Sequence, residues 1–278
     1  VKGSFFTMGS NLYYINGNQY VKFDGTTCSL VTPYVPVTFT AMPPTGGGTA
    51  LEEDNRLGAG QTNRFSGNGT ATYQLSKTNL DTTLVTAIVG GVAKTETTHF
   101  IVNRTTGVVT FTVAPASGTN NVDITFYKTE STIYNALIAC KYAITYGDSK
   151  ETVFIGGNLL GEVFWSDKAI ANYFPLSNKV ALGDTNEDCT GFGIQYDTMI
   201  IFKPKTLYSA NTVSGTTLAE FAFSIVNDSI GCDMPYTIQL ISNRLTWCNT
   251  YGGVHTLTST LIKDERNVKP VGDRKSVV

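Results

Sequence analysis

Alternating apolar and polar positions divide this chain into short strands, and one cluster of strands recurs. Residues 151–165 read as two apolar strands around a loop rich in Gly and Asn. Val153, Phe154 and Ile155 lie in the first strand and Val163, Phe164 and Trp165 in the second. Residues 198–209 have the same form and turn at Pro204 and Lys205; residues 245–258 repeat it around Thr250, Tyr251, Gly252 and Gly253. Ile155, Ile201 and Trp247 mark the strand centres and stand 46 residues apart, twice. A unit of a few short strands recurring at roughly 40–50 residues is the mark of a β-propeller blade. Further apolar strands at 136–146, 191–196 and 236–241 precede the three clusters, so each unit supplies three strands.

Residues 11–23 predict another blade hairpin. Asn16 and Gly17 are placed at a two-residue turn of type I′, whose two central residues both take positive φ. Its centre, Tyr14, lies 141 residues before Ile155, leaving about 95 residues beyond one repeat. Residues 32–61 predict a surface linker, because Pro33, Pro36, Pro43 and Pro44 remove ladder donors and Gly46, Gly47 and Gly48 cost chain entropy. Residues 62–129 predict an inserted β-sandwich, with strands at 71–75, 84–89, 99–102, 108–113 and 122–127 separated by turn signals. The expected fold is all-β: a β-propeller of at least four blades or partial blades with an inserted β-sandwich. A first blade portion occupies 1–31, the linker 32–61, the insert 62–129, and the remaining blades 130–278. No helix is expected; the nearest candidate, 217–223, lacks length.

Composition agrees with strands. Of 278 residues 41% are apolar and only 15% charged, with 27 Gly and 14 Tyr; β-branched and aromatic residues suit pleated strands. A net charge of −2 argues against nucleic acid, which requires clustered Lys and Arg. No window approaches the roughly 20 apolar residues of a membrane helix, and no secretory signal is visible. The five cysteines, Cys28, Cys140, Cys189, Cys232 and Cys248, are scattered, without metal or redox spacing. They read as free thiols of a protein made in a reducing cytosol. The start at Val1 and the charged run at 263–275 are the expected marks of a fragment or processed product.

Candidate chemistry is sparse. Asp184, Asn186 and Asp188 place oxygens at alternate positions, as a calcium loop does, but Cys189 and Gln195 stand where that loop takes Gly and Glu, so a solvated turn is expected. His99 and His255 lie on separate predicted strands, with no nucleophile elbow in the chain. Asp148, Asp167 and Asp197 fall at turns, where Asp bonds its own backbone. The repeated Ser-x-Asp-x-Gly-x-x-Trp element of sialidases is absent. Tyr13, Tyr14, Trp165, Tyr173, Phe174 and Trp247 are candidates for a sugar platform, weighed against packing between blades, which is the expectation. Asn68, Asn103 and Asn227 match the glycosylation acceptor pattern, which is expected to go unused. No catalytic residue, cofactor site or metal ligand is assigned.

The motifs Val153-Phe-Ile-Gly-Gly-Asn158, Val163-Phe-Trp-Ser-Asp167, Asn172-Tyr-Phe-Pro175, Ile200-Ile-Phe-Lys203 and Leu207-Tyr208 resemble β-propeller structural proteins of tailed bacteriophages. The run from Phe65-Ser-Gly-Asn-Gly-Thr70 through Val108-Val-Thr-Phe111 to Asn121-Val-Asp-Ile-Thr125 is similar to small β-modules of phage tail and fibre proteins. The resemblance implies a non-enzymatic virion component of the tail or neck, made in the bacterial cytoplasm and acting through assembly contacts. Its partners are then other virion proteins, in a homo- or hetero-oligomer, with the inserted module a candidate contact to a neighbouring subunit or the host surface. No nucleic acid, membrane or cofactor is expected. A glycan- or host-surface-binding module is the alternative, and a polysaccharide-degrading enzyme ranks below it.

Overall fold

A computed structural model of the chain describes residues 2–213, 220–250, 252–259 and 267–271. The chain is all-β, 48% strand, with one short helix among the described residues. It divides into two compact units. The first takes Val1–Val31, Asn135–Ala171 and Asn178–Val278; the second takes Thr32–Tyr134 and Asn172–Ser177.

The chain opens with a four-stranded antiparallel meander in sequence order: β1 (Ser4–Met8), β2 (Asn11–Ile15), β3 (Tyr20–Phe23) and β4 (Cys28–Leu30). The β2–β3 connection corrects the expected turn. Ile15 pairs with Tyr20, so the loop has four residues rather than two. The Asn16 side chain builds it, accepting the backbone N–H of Asn18 (3.0 Å) and Gln19 (2.9 Å), and only Gly17 takes a positive φ, +87°. A local Asx bond has displaced the tighter I′ geometry.

The second unit contains nine strands: β5 (Val37–Met42), β6 (Thr49–Ala50), β7 (Gly60–Gly67), β8 (Thr72–Gln74), β9 (Thr86–Val89), β10 (Val92–Thr95), β11 (Phe100–Asn103), β12 (Val108–Phe111) and β13 (Gly118–Tyr127). They form a six-stranded sheet, β10-β9-β13-β7-β5-β6, and a three-stranded one, β11-β12-β8. Phe65, Val122, Ile124 and Phe126 from the first sheet and Tyr73, Phe100, Val109 and Phe111 from the second share one buried core. The stretch 32–61 is therefore no linker. Within it β5 runs parallel to β7 and antiparallel to β6. Glu52 makes this possible for a proline-rich segment, because its carboxylate accepts the Val37 N–H (2.5 Å) and the Tyr34 hydroxyl (2.9 Å). Gly48, at φ +105°, closes the β5–β6 turn where a Cβ would lie 2.8 Å from the Thr40 carbonyl.

Residues 172–177, expected within the remaining blades of 130–278, belong to this second unit as well. Buried Asn55 is their anchor: its Nδ2 donates to the Asn172 carbonyl (2.8 Å) and its Oδ1 accepts the Phe174 N–H (3.0 Å). The Tyr173 hydroxyl donates to the Glu53 carbonyl (3.0 Å), and the Arg56 guanidinium donates to the Leu176 carbonyl. A second correction concerns 136–146, expected as one strand. Helix α1 (Ser131–Ile138) comes first and β14 (Tyr142–Tyr146) follows. A short apolar run does not by itself distinguish the two periods. The helix candidate at 217–223 lies partly outside the described residues, and from Phe221 onward the chain is strand.

The first unit then resumes with three more four-stranded antiparallel meanders. The first joins β14 to β15 (Thr152–Gly156), β16 (Glu162–Trp165) and β17 (Lys179–Ala181). The next contains β18 (Gly191–Gln195), β19 (Thr198–Phe202), β20 (Leu207–Thr212) and β21 (Phe221–Asn227). The last contains β22 (Gln239–Ile241), β23 (Arg244–Asn249), β24 (Gly253–Leu257) and β25 (Val268–Pro270). Ile155, Ile201 and Trp247 each sit in the second strand of a separate sheet, as Tyr14 does. The opening strands of consecutive sheets lie side by side, β1 with β14, β14 with β18, and β18 with β22. Apolar contact joins the last three sheets face to face. Met199 and Ile201 pack with Phe154 and Trp165 on one side of β19, while Ile200 and Phe202 pack with Leu245 and Trp247 on the other.

Candidate functional site

The six aromatic candidates do not form a sugar platform. Tyr13, Trp165, Tyr173, Phe174 and Trp247 are all buried, and Tyr14 is half-buried. Trp247 also donates its indole N–H to the Gly231 carbonyl (2.8 Å), the usual requirement for a buried indole. His99 Nδ1 lies 3.0 Å from the Thr95 hydroxyl on its own turn. His255 is buried beside the Trp247 ring, centroids 6.1 Å apart, and neither ring nitrogen has a hydrogen-bond partner among the described residues. Burial pushes its pKa down, so the imidazole is held neutral.

The alternate oxygens at 184–188 serve the backbone. Asp184 Oδ1 accepts the Asn186 N–H (2.9 Å), and Asp188 accepts the N–H groups of Cys189 and Leu159 (both 2.9 Å). Among the described residues no three His, Cys, Asp or Glu side chains gather as they would around a metal ion. The same loop is held from below by Lys203. Its buried ammonium donates to the carbonyls of Asp184 (2.7 Å) and Leu182, and desolvation lowers its pKa. All five cysteines are free thiols; burial raises the pKa of Cys140, Cys189 and Cys232, which makes them inert packing groups. Asn227, an acceptor-pattern residue, is buried and donates its amide to Asn267 Oδ1 (3.0 Å).

Two exposed features stand out among the described residues of the first unit. One is a cleft of about 680 Å³ between the β14–β15 and β18–β19 turns, lined by Tyr146, Asp148, Lys150, Ile194, Tyr196, Asp197 and Thr212. The Tyr146 hydroxyl donates to the Asp197 carbonyl (2.6 Å) and ties the two turns together. Burial raises its pKa, and the nearby Asp197 and Asp148 charges add to that, so the phenol stays protonated. Gln195 pairs with Thr198, which makes Tyr196 and Asp197 the two central residues of a tight turn. Tyr196 stands there at φ +54°, a conformation that favours Gly or Asn, and is 69% exposed. Asp148 and Asp197 were legible as turn residues; that two separate turns enclose one cleft was not. A two-residue turn lacking Gly and Asn was the signal available for Tyr196.

The other feature is one face of the β1–β4 sheet. Direct cross-strand partners share a face, so Phe5, Tyr14, Val21 and Leu30 form one row and Thr7, Leu12, Phe23 and Cys28 the next. Phe5 and Leu30 are each 65% exposed, and Leu12, Phe23 and Cys28 are exposed too. The Phe5 and Tyr14 rings pack at 4.5 Å, so the row is continuous. The opposite face carries Phe6, Tyr13, Ile15 and Tyr20, all buried. No protein-family model matches the chain, and no curated protein matches it.

Proposed function

We propose that the chain is a non-enzymatic structural component of a bacteriophage virion, in the tail or neck region, acting through protein–protein contacts. In this reading the four meanders are blades of a β-propeller and the second unit is a β-sandwich looped out between the first two blades. Four sheets of consecutive strands, opening strand beside opening strand, are what radial repetition requires. The phage resemblance of the blade and insert motifs supplies the virion context.

The uncovered face of the β1–β4 sheet carries the proposal. Its sequence is apolar on both faces, like that of the sheet containing β19, yet only one of its faces is buried. Soluble monomers rarely leave such a continuous apolar row in water. The row bears no charged side chain, which suits an apolar β-sheet of a neighbouring virion subunit stacked about 10 Å away. The test uses particles purified from a lysate of the source culture. Peptides of this chain are expected among the particle proteins, and a phage carrying the Phe5→Lys/Leu30→Lys pair is expected to yield particles depleted of it. Particles free of the chain would overturn the virion reading, and full incorporation of the pair variant would overturn the role of the face.

A further inference from the structure

We infer that the cleft between the β14–β15 and β18–β19 turns binds a neutral saccharide. The site does not depend on the assembly reading and uses none of the residues of the apolar face. Its volume of about 680 Å³ falls in the range of roughly 300–1,000 Å³ typical of small-molecule sites.

The chemistry of the lining selects the ligand. The Asp148, Lys150 and Asp197 side chains make no ion pair or hydrogen bond with the described residues, so all three charged groups are available. Ionised carboxylates only accept hydrogen bonds, and the ammonium only donates. Together with the Thr212 hydroxyl they match a ligand rich in O–H groups, each able to donate to one neighbour and accept from another. Two carboxylates against one ammonium leave a net negative charge, which disfavours carboxylated or sulfated sugars. The Tyr196 ring supplies the remaining requirement, a flat apolar surface for the C–H face of a pyranose.

Tyr196 also points to function by its cost. A non-glycine residue held at φ +54° stores about 1 kcal/mol or more of backbone strain, and at 69% exposure the side chain returns little packing. Lys150, on the other turn, is held at φ +55°. Tyr146 fixes the separation of the two turns by its bond to the Asp197 carbonyl, so the cleft is formed before any ligand arrives.

Saturation-transfer NMR on the whole chain tests this, with methyl β-glucopyranoside, methyl β-galactopyranoside and N-acetylglucosamine as neutral probes and sialic acid as the anionic one. At least one neutral probe is expected to receive saturation on its ring protons, with sialic acid silent. Tyr196→Gly is expected to weaken that binding at least tenfold while leaving the melting temperature at or above the parent's, because glycine relieves the positive φ. Tyr196→Phe is expected to bind within threefold of the parent, and Asp197→Asn to weaken binding about fivefold. Silence from all three neutral sugars, undiminished transfer in Tyr196→Gly, or a preference for sialic acid would each overturn the proposal.

Discussion

The sheets built on β2 and on β19 are the same meander with opposite fates. In β19 Met199 and Ile201 are buried on one side and Ile200 and Phe202 on the other, because a neighbouring sheet covers each face. In β2 Tyr13 and Ile15 are buried on one face, while on the other Leu12 is exposed and Tyr14 half-buried. Both strands are apolar nearly throughout. Burial on both faces is what a continuous apolar run encodes, and only one of the two sheets finds it among the described residues.

Substitutions that place charge on the two sheets separate these fates most sharply. Ile200→Lys buries an unpaired ammonium between two sheets and is expected to cost about 4 kcal/mol or more, read as loss of the cooperative urea transition. Lys203→Met leaves the carbonyls of Leu182 and Asp184 without their donor, and a loss of about 2–3 kcal/mol is expected from the shift of the urea midpoint. Its native charge is tolerated because the carbonyls solvate it, the opposite of the Ile200→Lys case. His255 gives a smaller effect that depends on pH. Its folded pKa lies below the ordinary 6.5, so the unfolded chain binds the proton first. The neutral form's contribution to stability is complete above 6.5 and is lost as pH falls through the folded pKa. Between pH 7.5 and 5.5 the melting temperature is expected to fall further for the parent than for His255→Leu; parallel curves would refute the buried neutral imidazole. Phe5→Lys, on the uncovered sheet, is expected to shift the isolated chain's stability by no more than about 0.5 kcal/mol. A loss comparable to that of Ile200→Lys would show that this face is covered within the chain after all.

Much of the strand content was legible along the chain, since the even spacing of Ile155, Ile201 and Trp247 places each in the second strand of its own sheet. The errors cluster where a local signal competes with a distant partner. Pro33, Pro36 and Gly46 to Gly48 read as linker, yet β5 is held in a mixed sheet by β7 and by the Glu52 carboxylate. Tyr173 and Phe174 fell within the span 130–278 assigned to the remaining blades, but Asn55, well over 100 residues earlier, draws their segment into the second unit. Helix α1 was hidden because eight residues are too few for one period to declare itself.

Apolar periodicity and turn residues alone were enough to establish an all-β chain, its repeating meander and the separate strand set between the first two repeats, because these depend on contacts between near neighbours. Which apolar face stays uncovered, which segment crosses into the second unit, and which turns enclose a cleft around Tyr196 were decided only in three dimensions. Those features depend on pairings between residues far apart in the chain, and no local pattern records which distant partner arrives.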